Sequence, residues 1–221
     1  LWDFSEDGPA VWLSSERGRK HGELNVGTPS ADGSRIATVS STGGVELWDG
    51  SGEFLRWLPG PERVMGQYDV TFNASGSLIA AAANDGVVRV WRSDSDGPPV
   101  ELPGHKGIVN CVKFAPSGDT LASCGDDGPV RVWDAASARC GRVIKGATSR
   151  LNRVRFGAGG DLVLASSSKR VWFWRARSGE ALKPLPLENS EVFSLEASPD
   201  GRTIAVSCRR RAIGLFDLAT N

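Results

Sequence analysis

Residues 104–134 read GHKGIVNCVKFAPSGDTLASCGDDGPVRVWD, opening on Gly104-His105 and closing on Trp133-Asp134. Three stretches of alternating apolar residues lie between these ends, split by Pro116-Ser117-Gly118 and Asp126-Asp127-Gly128. Alternation at period two puts one set of side chains on each face of an extended chain, and glycine-bearing turns reverse its direction. The stretch predicts a meander of three short antiparallel strands. Its closing tryptophan recurs upstream at Trp91, Trp48 and Trp2, and downstream at Trp174 and, as a phenylalanine, at Phe216. The intervals are 46, 43, 42, 41 and 42 residues, so the chain is an internal repeat. Units of ~40–45 residues hold four strands each.

Read outward, the repeat divides the chain into five units at about 4–49, 50–92, 93–134, 135–175 and 176–217. Strands are expected near 10–14, 23–28, 35–40 and 45–48, then near 53–58, 67–72, 78–83 and 87–91. The third unit begins at 100–102 and continues into the quoted stretch. The fourth has strands near 142–144, 151–156, 162–167 and 171–174, and the fifth near 181–185, 191–197, 203–207 and 212–216. No low-complexity linker separates the units, so they should stack directly.

These residues resemble the WD-repeat β-propellers, and the resemblance covers essentially the whole chain. It implies an all-β fold of four-stranded antiparallel blades around a channel. About five blades are present, each unit carrying the outer strand first. The resemblance also implies a hydrogen-bonded tetrad that pins a blade, made in the third unit by His105, Ser123, Asp127 and Trp133. An indole N–H, a hydroxyl and a carboxylate buried together need partners, and such a chain supplies them. The other units keep less. The first offers His21, Thr38 and Trp48, with Thr42 where the Asp belongs. The second keeps Asp85 and Trp91, with Ala81 in the Ser place; the fourth keeps Trp174 with Ser166. The fifth has Phe216 and Arg210, and no tetrad.

Partners of the resembling family engage one face, at the start of the first inner strand and at the turn before the third. Carried over, these places are Ile108, Asn110 and Asp126 in the third unit, and Tyr68 and Asn84 in the second. The fourth gives Arg150 and Asn152, the fifth Glu191, Phe193 and Arg209, and the first Glu23 and Asn25. Mixed aromatic, arginine and asparagine side chains suit interface anchoring and adaptable hydrogen bonding.

Other chemistry finds little support. Both histidines, His21 and His105, fall at or beside the place before an inner strand, which removes the usual general base from a Ser–His or Cys–His pair. Gly157-Ala158-Gly159-Gly160 joins two strands rather than a strand and a helix, so it is a hairpin turn and not a phosphate cradle. Asp94-Ser95-Asp96-Gly97 begins like a calcium loop but lacks a closing glutamate and flanking helices. Arg209-Arg210-Arg211 with Arg202 forms the one basic cluster, without the interleaved aromatics a nucleic-acid site wants, and reads as a solvated turn. Trp12 and Trp57 fall on outermost strands.

The totals agree. The 221 residues carry 26 basic and 26 acidic side chains, so no charge excess draws the chain to nucleic acid or an anionic membrane. Apolar runs are only a few residues long. The N-terminal LWDFSEDGPA has no basic segment followed by an apolar one. The four cysteines, Cys111, Cys124, Cys140 and Cys208, form no C-x-x-C pair and read as small buried hydrophobes in a reducing, cytoplasmic setting.

The expectation is a non-catalytic protein-interaction scaffold or sensor, without cofactor or metal. It would bind protein partners, other domains of its parent chain among them, on one propeller face. The alternative is a propeller reading a small ligand, peptide or modified residue in a pocket at the channel mouth, with Tyr68, Phe193 and Arg150 as its candidates. Leu1-Trp2-Asp3 repeats the end of a third inner strand that Leu215-Phe216-Asp217 already supplies. The chain is therefore expected to be an excerpt of a longer array and to form an open arc rather than a closed ring.

Overall fold

The computed structural model describes residues 24–40, 43–60, 67–118, 120–147, 149–187, 192–198, 202–208 and 212–217. They form five antiparallel sheets in chain order. The first holds β1 (Leu24–Pro29), β2 (Arg35–Ser40), β3 (Val45–Asp49) and β4 (Phe54–Leu58). The second holds β5 (Gln67–Phe72), β6 (Leu78–Ala83), β7 (Val87–Arg92) and β8 (Val100–Pro103). The third holds β9 (Val109–Phe114), β10 (Thr120–Gly125), β11 (Val130–Asp134) and β12 (Arg139–Ile144). The fourth holds β13 (Arg153–Phe156), β14 (Leu162–Ser166), β15 (Arg170–Arg175) and β16 (Leu185–Pro186); the fifth holds β17 (Val192–Ala197), β18 (Thr203–Cys208) and β19 (Ala212–Asp217).

Strand positions follow the alternation closely, with one difference in the fourth sheet. The strand expected near 181–185 is reduced to β16 and an isolated bridge between Trp174 and Ala181. Pro184 and Pro186 carry no amide hydrogen, so this stretch joins the ladder only in short pieces. The expected strand near 10–14 lies outside the described residues.

The second, third and fourth sheets bury both faces, one against each neighbour. In β6, Ile79 and Ala81 pack with Ala37, Val39 and Leu47 of the first sheet. The alternate residues Ala80 and Ala82 pack with Val109, Val112 and Leu121 of the third. The all-apolar run LIAAAA is thus a strand covered on both sides, and its alanines let the sheets approach. Cys111, Ala122 and Cys124 of the third sheet meet Leu151, Val154 and Val163 of the fourth. Leu164 and Phe173 of the fourth meet Leu195, Ile204 and Val206 of the fifth. Trp91, Trp133 and Trp174, each near the end of a third strand, face the preceding sheet in these clusters.

The first strands pack side by side in series: β1 on β5, β5 on β9, β9 on β13 and β13 on β17. Among the described residues no comparable packing joins β17 to β1. Ile213 and Leu215 of β19 are 73% and 71% exposed, so the last sheet has one face bare of the described chain.

Candidate interaction face and its supporting network

The third sheet forms the expected tetrad. Trp133 Nε1 donates to Ser123 Oγ at 2.8 Å, and Ser123 Oγ lies 2.8 Å from His105 Nε2. His105 Nδ1 lies 2.7 Å from Asp127 Oδ1. With the indole supplying a hydrogen, the hydroxyl donates to Nε2, so Nδ1 carries the ring hydrogen and donates it to the carboxylate. A serine, histidine and aspartate in line have the connectivity of a nucleophilic relay. Ser123 is fully buried and already accepts the indole hydrogen, so no substrate reaches it and the relay is structural.

Sequence reasoning missed a fifth member, Arg131. Its Nη1 donates to Asp127 Oδ2 at 2.8 Å and sits 2.7 Å from His105 Nδ1, while the Lys106 amide donates to the same carboxylate. Burial lowers the pKa of His105, and the Arg131 charge adds to that against the Asp127 hydrogen bond. Burial alone would raise Asp127, but its bond from His105, the Lys106 amide and the Arg131 charge hold it below its ordinary value. The network is therefore built around a neutral imidazole and an ionised carboxylate.

Arg131 stands two residues before the tryptophan, on the same face of its strand. The other sheets fill that place differently. In the second, Arg89 takes Asp85 through two bonds of 2.6 and 3.1 Å and reaches Glu101, and Trp91 Nε1 turns to the Pro59 carbonyl. In the first, Trp48 Nε1 donates to Thr38 Oγ1 at 2.9 Å, and the place is held by Glu46, fully buried with neither carboxylate oxygen hydrogen-bonded among the described residues. Burial raises the Glu46 pKa accordingly. In the fourth, Trp172 occupies it, stacked on Trp174 with centroids 6.2 Å apart, and Ser166 Oγ and Trp174 Nε1 are both buried without partners among the described residues. The expected Ser166–Trp174 link is thus not made. The fifth sheet carries Gly214 there. His21, Thr42 and Arg210 lie outside the described residues.

Two glycines hold the turn that presents Asp126 and Asp127. A Cβ on Gly125 would meet the Ile108 carbonyl at 2.1 Å, where the Asp126 amide donates at 3.0 Å. Gly128 adopts φ 95°, which other residues reach at a cost.

Four of the residues expected on the partner face share a backbone feature that the sequence alone did not show. In the third sheet Cys124 pairs with Cys111 and Gly125 with Val109, so Asn110 is the extra residue of a bulge. The same one-residue register shift makes Phe193 the extra residue in the fifth sheet, Tyr68 in the second and Asn25 in the first. A bulge re-aims one side chain out of the pleat. The side chains of Tyr68 and Asn25, and all of Glu191, Arg209 and Glu23, lie outside the described residues.

The third, fourth and fifth sheets bring five expected residues together. Arg150 Nε lies 3.2 Å from Asp126 Oδ1 and donates to Asn152 Oδ1 at 3.0 Å; its Nη2 donates to Asn110 Oδ1 at 3.3 Å. Asn110 Nδ2 donates to Asp126 Oδ1 and to the Leu151 carbonyl. Asp126 is thus tied to this group. Beside it opens a depression of about 290 Å³ lined by Asn110, Arg150, Asn152, Arg153, Val192 and Phe193. Arg153 was not among the expected residues. Phe193 is 57% exposed. Ile108 and Asn84 are partly buried and do not line it.

A second network links the first strands of successive sheets. Asp69 of β5 accepts from Cys111 Sγ, the Val112 amide and Lys113 Nζ of β9, at 3.0 to 3.2 Å. Arg155 of β13 donates to the Val154 carbonyl and to Cys111 Sγ, and pairs through two nitrogens with Glu196 of β17. Burial, with the Asp69 charge beside it, pushes the Cys111 thiol up to about 11, so it stays protonated and donates. All four cysteines are free.

The sequence profile of the WD domain, G-beta repeat family matches residues 52–92 and 97–134. No curated protein matches the chain.

Proposed function

We propose that this chain, whose residues 52–92 and 97–134 match the WD-repeat family that generally mediates protein interactions or scaffolding, binds a protein partner on the face formed by Asn110, Asp126, Arg150, Asn152 and Phe193. The observation that carries this reading is the repeated bulge. At the same place in four sheets the backbone ladder holds one extra residue, and two of these, Asn110 and Phe193, line one depression with Arg150 and Asn152. The residues that line it mix an exposed aromatic with guanidinium and amide groups, the composition of interface anchors. The reading includes a cytoplasmic setting and no chemistry of the chain's own. Where histidine could act as a base, both ring nitrogens of His105 are held inside the tetrad.

A pocket that encloses a small ligand or modified residue finds less support. The depression is open and has one aromatic, Phe193, among its lining residues, whereas a cage for a methylated cation needs several. The test is affinity capture from extract with the whole chain as bait. Arg150→Glu combined with Phe193→Ala should abolish capture while leaving the circular dichroism spectrum unchanged. Capture that survives this change but fails on altering Asp32, Arg35 and Ser77, at the turns of the opposite end, would overturn the assignment.

A further inference from the structure

The hydrogen-bond inventory of the depression points to the kind of partner it fits. We propose that it receives an acidic peptide segment, a carboxylate or phosphate of the partner entering between Arg150 and Arg153 with a neighbouring apolar side chain laid on Phe193. This rests on the partner-face reading above and deepens it.

Among the described residues, two guanidinium groups and no carboxylate line the depression. The side-chain amide oxygens of Asn110 and Asn152 are both taken by Arg150. What is left over is donors. Arg150 Nη1, Asn152 Nδ2, and Arg153 Nε and Nη2 have no partner among the described residues; the one bond the Arg153 side chain makes among them is from Nη1 to the Asn152 carbonyl at 3.0 Å. Asp126 pairs with Arg150 Nε from outside the lining, which fixes the guanidinium in place while Nη1 stays open. Donors fixed in advance with no acceptor among them select an oxyanion, and guanidinium groups match carboxylate or phosphate geometry best. Val192 is buried and Phe193 exposed beside these donors, so the ligand has an apolar edge as well as a charged one. A free inorganic anion would use only the first, and a peptide uses both.

The experiment pans a random dodecapeptide phage library on the whole chain. An enriched peptide is then titrated by fluorescence anisotropy in three forms: as found, with Glu and Asp replaced by Gln and Asn, and with phosphoserine at the acidic positions. Acidic sequences should be enriched. The amide form should bind at least about tenfold more weakly, and Arg153→Gln or Arg150→Gln should cost a similar factor, growing as salt is lowered. The phosphoserine form tells which oxyanion fits better, and binding of either supports the proposal. Neutral or basic peptides that lose binding with Phe193→Ala but not with Arg153→Gln would overturn the acidic partner and leave the face standing. Peptides indifferent to all three substitutions would overturn both, and absence of any enrichment overturns the acidic-peptide proposal.

Discussion

Blades 3 and 4 lie against each other and share one apolar cluster, yet their interiors are wired in opposite ways. In blade 3 the tryptophan N–H is the first link of a chain through Ser123 and His105 to Asp127 and Arg131. In blade 4 the side-chain atoms at the same two positions, Ser166 Oγ and Trp174 Nε1, are buried with no hydrogen bond among the described residues, and Ala147 stands nine residues before the strand-ending phenylalanine, where blade 3 has His105. Trp172 fills the space that Arg131 takes up next door and stacks on Trp174. The backbone of the two sheets is nonetheless the same meander. Apolar packing between sheets is sufficient for the blade; the polar network adds rigidity to one that has it.

The sharpest way to break the contrast is Asp127→Ala. It strips the acceptor from His105 Nδ1, the Lys106 amide and Arg131 together and leaves a buried guanidinium unpaired. A loss of roughly 3 kcal/mol is expected, read as a lower urea midpoint and faster amide exchange in β10 and β11. An unchanged midpoint would mean that the network carries no stability. A smaller effect comes from the paired serines. Ser123→Ala leaves both the indole N–H and the imidazole nitrogen unsatisfied and should cost about 1–2 kcal/mol, while Ser166→Ala removes a hydroxyl that bonds to nothing and should stay within about 0.5 kcal/mol. Equal losses at the two sites would erase the distinction.

The mildest test is acidity. The folded-state pKa of His105 lies below its ordinary 6.5, so the unfolded chain takes the proton first. The stability this residue contributes is complete above about pH 6.5 and is lost as pH falls through the folded value. Between about pH 7.5 and about pH 5.5, exchange corrected for intrinsic rate should quicken in β10 and β11 relative to β14 and β15. Blade 4 has no histidine in that place to respond.

Most of the fold was legible because strand alternation and glycine turns are local properties. The tetrad was legible because its residue types recur at fixed places in a known repeat. Arg131 was not, although parity alone puts it on the buried face with Trp133; a charged residue in the run VRVW reads as solvent-facing unless its acid partner four residues earlier is considered. The bulges at Asn110 and Phe193 could not be read because a bulge belongs to two strands at once, and no single strand shows that its partner has fallen one residue behind. Arg153 was missed for a related reason. Its strand position resembles that of Asp69, three residues before the closing phenylalanine, and only the neighbouring blade decides what each one meets.

That dependence on the neighbour has a consequence for assembly. Blades of one shape could dock in the wrong order as the chain collapses, a known hazard of repeat proteins. Asp69 of blade 2 is matched to three donors of blade 3, and Arg155 of blade 4 to Glu196 of blade 5. Were blade 3 to settle against blade 4 as it does against blade 2, Lys113 would meet Arg153 where it now meets Asp69, cation against cation. The seams thus act as keyed joints. They let blade 2 recognise blade 3 and blade 4 recognise blade 5, so at these seams the order written in the chain is also the order in which the pieces fit.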